Sequence, residues 1–323
     1  MDRVRIGSGA GYAGDRIEPA VELAEHGALD YLAFECLAER TIASETLAML
    51  HDPSAGYNRR LAERMSAVLP SCTANGVRVV TNMGAANPLG AARETRRIAS
   101  DLGLDMPCAV LLGDDVRETV AAMPELTLLE SGEPLEAILP QVASANAYLG
   151  ADGIRDALAT GADVVITGRV ADPSLFVGPM LHALGWDYDD YTRLGQATAC
   201  GHLLECAGQV TGGYFADPGH KDVDGLARLG FPFADVGADG SVTISKVAGS
   251  GGRVDAMTCT EQLLYEMHDP EAYVTPDCVL DATGIGFDDS TPDRVALAGA
   301  KAKPRTPTYK VSVGYFDGYL GEG

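Results

Sequence analysis

Residues Val4–Glu35 read VRIGSGAGYAGDRIEPAVELAEHGALDYLAFE, and their interpretation decides the fold. An apolar run (Val4–Ile6) leads into glycines at 7, 9, 11 and 14. A helical pattern, a second apolar run (Tyr31–Phe34) and an acid, Glu35, follow. Gly9-Ala10-Gly11-Tyr12-Ala13-Gly14 matches G-x-G-x-x-G, with a strand before it, a helix after it and an acid about 20 residues on. In the dinucleotide reading Gly9 makes the turn, Gly11 lets the backbone approach a pyrophosphate and Gly14 lets the helix pack closely. Glu35 takes ribose hydroxyls, and the helix N-terminus supplies positive potential. Two features count against it. Asp15 and Arg16 follow the last glycine directly, so a carboxylate already occupies the positive helix end, and the first strand is short. A turn serving another ligand, or packing, is the favoured reading.

Working outward, apolar runs alternate with amphipathic segments. Val4–Ile6, Tyr31–Phe34, Val77–Val80, Ala109–Leu112 and Val164–Ile166 lack period-two polarity, as strands of a sheet covered on both faces do. Helical spacing spans Asp15–Glu25, Ser44–Leu50, Tyr57–Asn75, Gly90–Leu102 and Asp152–Thr160. Gly27 and Gly103 are the expected helix stops, and Asn87-Pro88 an expected N-cap followed by proline in the first turn. The alternation predicts an α/β fold: a mostly parallel, Rossmann-like sheet flanked by helices. In LGQATACGHLLECAGQVTGGYF the pattern starts helical, then reaches Gly212-Gly213, a turn or close backbone approach. SVTISKV and YKVSVGYFDGYL alternate with period two, through Val311, Val313, Tyr315 and Tyr319. The expected division is therefore 1–225, an α/β ligand-binding domain, and 226–323, an α+β region. The chain stops directly after a strand-like run, as one that once continued would.

Composition sets limits on function. The chain has 323 residues, 46% hydrophobic and 22% charged, enough for a substantial core. Its apolar runs are too short to span a bilayer, and MDRVRIGSG is not a signal segment, so a soluble cytoplasmic protein is expected. With 24 basic and 46 acidic residues, the formal charge is -22. That sign repels nucleic acid and anionic membranes. The expected partner is a small anionic substrate, met by local backbone N–H groups or arginine, in a homo-oligomer. Seven cysteines without a CxxC pair fit a reducing compartment and give no thiolate metal spacing, so no metal ligands are assigned.

Chemistry gathers where the predicted strands end. Thr81, Asn82 and Asn87 follow the third run; Gly113, Asp114 and Asp115 the fourth; Thr167, Gly168, Arg169 and Asp172 the fifth. Open parallel sheets bind ligands outside the carboxyl ends of their strands. Polar loops also simply face water, but that leaves the adjoining glycines unexplained. A second glycine loop, Gly249-Ser250-Gly251-Gly252, lies between strand-like ISKV and an amphipathic segment. Its N–H groups, with Arg253, would suit a phosphate or carboxylate, and a structural turn is the plainer alternative. His202 and Glu205 share a helix face at a spacing suited to acid–base work, against a plain hydrogen-bonded core histidine. Asp114-Asp115, or Glu35 with Glu39, offer weak Mg²⁺ sites that adjacent solvated acids explain as well. Neither G-x-S-x-G nor H-E-x-x-H occurs.

The stretches GSGAGYAGDR, DYLAFECLAERT, DPSAGYNRRL, TNMGAANP, LLGDD, NAYLGADGI, VITGRVADPSL, HLLECAGQVTGGYFADP, KVAGSGGRV and EQLLYEMHDPEAYVTPD together resemble the acyclic terpene utilisation (AtuA-like) family. The resemblance runs from Gly7 to Gly321. It implies a part in bacterial breakdown of citronellol- and geraniol-type compounds, whose intermediates are branched acyl-CoA thioesters. It also implies polar positions at Asp15, Arg16, Glu35, Glu39, Asn82, Asn87, Asp114, Asp115, Arg169, Asp172, His202 and Glu205, and fuller members that continue past GYLGEG.

The expected function is an enzyme on a branched acyl-CoA or carboxylic intermediate, a hydratase or lyase. Glu35 and Asp172 transfer protons, Asn82 and Asn87 orient a carbonyl or enolate, and His202 adds acid–base capacity. Gly9, Gly11, Gly14, Asp15, Arg16, Asn87, Asp114, Arg169, Ser250, Gly251 and Gly252 form the expected binding set, with a CoA thioester as part of the substrate. The alternatives are an NAD(P)-dependent oxidoreductase using the G-x-G-x-x-G loop, and a non-catalytic subunit working with a small partner protein.

Overall fold

The computed structural model describes residues 1–318. The first half comprises β1 (Arg3–Ala10), α1 (Glu18–His26), β2 (Tyr31–Phe34), α2 (Glu39–His51), α3 (Leu61–Asn75), β3 (Arg78–Thr81), α4 (Pro88–Asp101), β4 (Cys108–Leu111), α5 (Arg117–Ala121) and β5 (Val142–Ala147). Next come α6 (Ala151–Ala159), β6 (Val164–Thr167), α7 (Ser174–Leu184), α8 (Tyr191–Glu205), β7 (Pro232–Gly237) and β8 (Val242–Lys246). The last elements are α9 (Ala256–Leu264), β9 (Tyr273–Val274), β10 (Val279–Asp281), β11 (Gly286–Thr291), β12 (Arg294–Ala298), β13 (Lys301–Lys303) and β14 (Val311–Tyr315).

One nine-stranded sheet has the order β11-β12-β8-β7-β1-β2-β3-β6-β4. From β1 to β4 the pairs are parallel; from β1 through β7, β8, β12 and β11 they are antiparallel. The five predicted apolar runs are the five parallel strands. The sheet is nonetheless more mixed than expected, because strands from beyond residue 226 extend it past β1. In the Rossmann order β1 lies between two parallel strands; here it lies between β2 and antiparallel β7.

Alternate residues of the strands feed two cores. Ile6, Tyr31, Ala33, Val80 and Val165 pack with the apolar faces of α6, α7 and α8. Leu32, Phe34, Val79, Val164 and Ile166 pack with α1, α3 and α4. Each such side chain removed from water contributes roughly 1.5–3 kcal/mol, which fixes the register of short strands. Asn87 caps α4 as predicted, its side chain accepting from the Gly90 N–H with Pro88 in the first turn. Three helices start well away from their predicted positions: α1 begins at Glu18 rather than Asp15, α2 at Glu39 rather than Ser44, and α3 at Leu61 rather than Tyr57.

Away from the main sheet, β5 pairs antiparallel with β14, with Val311 opposite Ala147 and Val313 opposite Ala145. The period-two reading of Val311, Val313 and Tyr315 is thus a real strand, and Tyr319 lies outside the described residues. The end of β5 is tied to the segment after β6: the Ala171 N–H donates to the Leu149 carbonyl at 2.9 Å.

Candidate functional site

The loops leaving β2, β3 and β6 meet at one rim of the sheet, closed on the side of α7 and α8. Glu35 follows β2 on the same face as Ala33. Its Oε1 accepts from the Leu37 N–H at 2.7 Å and from Asn82 Nδ2 at 3.0 Å. Asn82 is oriented in turn by the Cys36 N–H, which donates to Oδ1 at 2.7 Å. Asn82 is wholly buried and Glu35 nearly so. Asn82 therefore holds Glu35, rather than the substrate carbonyl that the sequence suggested. Both protein hydrogen bonds reach Oε1, so a proton on this carboxyl sits on Oε2.

Burial pushes the Glu35 carboxyl up to about 7; Arg169 and the two donors pull it down, and Glu205 raises it again. Arg169 is buried, and each of its guanidinium nitrogens has a partner. Its Nε donates to the Val170 carbonyl at 2.9 Å, one terminal nitrogen donates to the Leu37 carbonyl, and the other pairs with Asp172. Its backbone N–H donates to Asp114 Oδ2 at 2.9 Å, and its guanidinium lies 4.4 Å from the centre of the Tyr148 ring. Arg169 is thus a tie between loops, its nitrogens engaged within the protein. Asp172, ahead of α7, is held well above the usual carboxylate range by burial and by repulsion from Glu35, Glu205 and Glu39, which Arg169 opposes. Repulsion among these acids disfavours ionising all of them together.

A third acid arrives on α8. A Cβ on Gly201 would stand 2.7 Å from the Pro173 carbonyl oxygen, and one on Gly11 would stand 2.4 Å from the Cys206 carbonyl carbon. The C-terminal turn of α8 is therefore wedged between residue 173 and the loop after β1. There His202 Nδ1 lies 2.8 Å from Glu205 Oε1, and Nε2 lies 3.1 Å from the Leu263 carbonyl oxygen. A carbonyl only accepts, so Nε2 carries a hydrogen, and one further proton is shared between Nδ1 and Glu205. Burial lowers His202, but Glu205 prevails and raises it; burial raises Glu205, against the pull of His202. The Tyr273 ring packs on the imidazole with centroids 5.0 Å apart.

The remaining predicted residues are not at this cluster in the way expected. Gly9 and Gly11 admit the Phe34 ring and the Cys206 backbone, and a Cβ on Gly14 would meet the Tyr12 ring at 3.1 Å. The Gly11 N–H that a pyrophosphate would need donates to Asp15 Oδ2 at 2.9 Å, and Asp15 also takes the Arg16 N–H. Arg16 reaches the Leu229 carbonyl at 2.8 Å. This loop packs elements together; Asp15 does not occupy the helix end as expected, since α1 begins at Glu18, but takes the Gly11 N–H instead. Asn87 caps α4 and holds the Pro53 and Ala55 carbonyls. In the second loop the N–H groups of Ser250, Gly251 and Gly252 donate to the Val247, Arg228 and Asp224 carbonyls, and Arg253 pairs with Asp255, so nothing there faces an anion. Asp114 ties Asn146 to Arg169, while Asp115 turns to Arg117. Among the described residues no three His, Cys, Asp or Glu side chains converge as metal ligands.

Sequence reading missed Tyr148 and Tyr273. Tyr148 donates to Glu39; burial raises Glu39, but this bond together with a backbone hydrogen bond, Arg169 and Lys310 outweighs it, and Glu39 falls below its ordinary value. Tyr148 is brought in by the pairing of β5 with β14, which joins distant segments, whereas Tyr273 lies in a local β9–β10 pairing and meets only His202 of α8. A surface depression of about 530 Å³ lies at the opposite edge of the sheet, lined by Asp2, Arg3, Asp235 and Arg294 among others. It is open and holds exposed ion pairs, and none of the rim acids lines it.

These features define an α/β protein with a cluster of acids and a buried arginine at the carboxyl ends of its parallel strands. The chain belongs to the acyclic terpene utilisation family AtuA, whose model matches residues 4–323. No curated protein and no solved structure was found to match it. No helix among the described residues is long and apolar enough to cross a membrane.

Proposed function

We propose that this chain is an enzyme of acyclic terpene breakdown that adds water to, or removes it from, a branched acyl-CoA or carboxylic intermediate. The observation that carries the reading is Glu35, a buried carboxyl raised to about 7 beside a second raised acid, Asp172. Hydration of a conjugated double bond needs a proton donor at the α-carbon and an acceptor for the proton of the attacking water. Carboxyls raised above their ordinary range can serve both roles. In the hydration direction Glu35 Oε2 protonates the α-carbon as the π pair moves there. Water oxygen bonds to the β-carbon, and Asp172 takes its proton. The reverse breaks the same bonds. Asn82 keeps Glu35 aimed, and Arg169 keeps Asp172 in reach. Family membership supports the substrate class.

The test is steady-state turnover on a panel of branched enoyl-CoA and β-hydroxyacyl-CoA thioesters. Glu35→Gln and Asp172→Asn are each expected to lose about 10²–10⁴-fold in kcat while staying folded. Unchanged turnover in both removes these roles, and no turnover across the panel removes the reaction class.

A further inference from the structure

Two buried acids outside the Glu35–Asp172–Arg169 group differ in one respect. Asp277, at 1% exposure, receives the Ala151 N–H at 2.7 Å, the Tyr188 hydroxyl at 2.7 Å and the Ser174 hydroxyl; it is a finished structural tie. Glu205, at 4% exposure, uses only Oε1, and its Oε2 has no hydrogen-bond partner among the described residues. A buried carboxylate oxygen without a donor costs about 1–3 kcal/mol or more, so it is retained where something else supplies the hydrogen bond. The C-terminal turn of α8 is wedged against residue 173 and the loop after β1, and repulsion from Glu205, added to burial, raises the Asp172 carboxyl. Ser8, wholly buried on the same face of the sheet as Ala33, likewise has an unpartnered hydroxyl.

We propose that Glu205 Oε2 accepts a hydrogen bond from the hydroxyl of a β-hydroxyacyl substrate, or from the same oxygen when it enters as water. Glu205 is then the residue that selects hydroxyl-bearing ligands. This rests on the hydration reading above. An attacking water has two O–H groups: Asp172 takes the proton of one, and Glu205 holds the other. His202 and the Leu263 carbonyl fix the carboxyl from behind, and the Gln262 side chain, donating to the His202 carbonyl at 3.0 Å, locks that turn. The charged and titratable groups around Glu205 are His202 on its own helix, Arg169 and Asp172 after β6, Glu35 after β2, Glu266 after α9 and Tyr273 on β9.

The experiment is calorimetric binding of β-hydroxyisovaleryl-CoA and isovaleryl-CoA, which differ by one hydroxyl. Wild type is expected to prefer the hydroxylated ligand by about tenfold, the size of one hydrogen bond to a charged group. Glu205→Ala abolishes the preference. Glu205→Gln, which keeps the shape and an acceptor oxygen without the charge, cuts it to about threefold and serves if the alanine variant does not fold. Equal affinity or no binding in wild type, or a preference that survives in the folded variants, overturns the proposal. If the preference depends on Glu205 but no thioester turns over, the reaction class fails and the hydroxyl site stands. If turnover is present and the preference ignores Glu205, only this proposal fails.

Discussion

The rim after β2, β3 and β6 and the loop Gly9–Gly14 carry the same kinds of residues at the same edge of the sheet, yet their hydrogen bonds end in different places. In the glycine loop the Gly11 N–H is answered by Asp15, and the positions without side chains are filled by Phe34 and Cys206. At the rim, Glu35 has one oxygen occupied, Glu205 has one oxygen unpartnered among the described residues, and Asp172 shares a single arginine with its neighbours. Polar residues at a strand end mark a site only when the fold leaves part of their bonding capacity unused.

The comparison breaks most visibly at Arg169. Replacing it by Met removes the partner of Asp172 and the donors to the Leu37 and Val170 carbonyls in a buried setting. Asp172 is about one third exposed, so removing its partner costs less than the roughly 3–5 kcal/mol of a fully buried pair, about 2–3 kcal/mol with the lost carbonyl donors. Denaturant unfolding at neutral pH is expected to show a loss of that order. A loss below about 1 kcal/mol would mean that the rim is wet and loosely held, contrary to its burial.

Gly11→Ala tests the other region. Its Cβ would stand 2.4 Å from the Cys206 carbonyl carbon, so either α8 or the loop has to shift. Overpacking of this kind costs about 1–3 kcal/mol. The thermal midpoint should fall accordingly, and millimolar NADH should leave the fluorescence of both wild type and variant unchanged. NADH binding abolished by the substitution would restore the nucleotide reading of this loop.

The difference also has a pH signature. The folded value of Glu35, about 7, stands above its ordinary 4.5. Between the two, the folded chain binds more protons at this carboxyl than the unfolded chain does. Its contribution to stability is therefore fully present below pH 4.5 and is lost as pH rises through 7. Glu35→Gln cannot ionise, so wild type should lose stability relative to the variant across that window, by at most about 1.4 kcal/mol per pH unit. Parallel stability curves for the two proteins would place Glu35 in water.

Much of this was legible in the sequence because it is local. Tyr31–Phe34 and Val164–Ile166 are apolar without alternation, so they read as covered parallel strands, and Glu35 and Arg169, within three residues of their ends, fall at the rim. Asp15 already argued against a phosphate in its loop. What escaped depends on distant pairing: β14 lies against β5 across more than half the chain, and only that pairing, with the bridge from Leu149, places Tyr148 over Arg169. Ser250–Gly252 looked like an anion cradle because a sequence does not show that the Asp224 and Arg228 carbonyls arrive to take its N–H groups.

The finest test lies within one dipeptide. Asp114 and Asp115 are adjacent and indistinguishable by composition, yet Asp114 is buried, accepting from the Arg169 N–H and Asn146, whereas Asp115 is exposed and pairs with exposed Arg117 at 3.5 Å. Burial raises Asp114, and its two donors pull the other way. Asp115→Asn removes a solvent-screened pair and is expected to change stability by less than about 0.5 kcal/mol. Both donors meet Asp114 Oδ2, so the amide oxygen of Asp114→Asn can keep them, but two charge-assisted hydrogen bonds become neutral ones, at a cost of about 1–2 kcal/mol. Equal effects of the two substitutions in chemical denaturation would show that this loop is solvated throughout, and that the rim ends before β4.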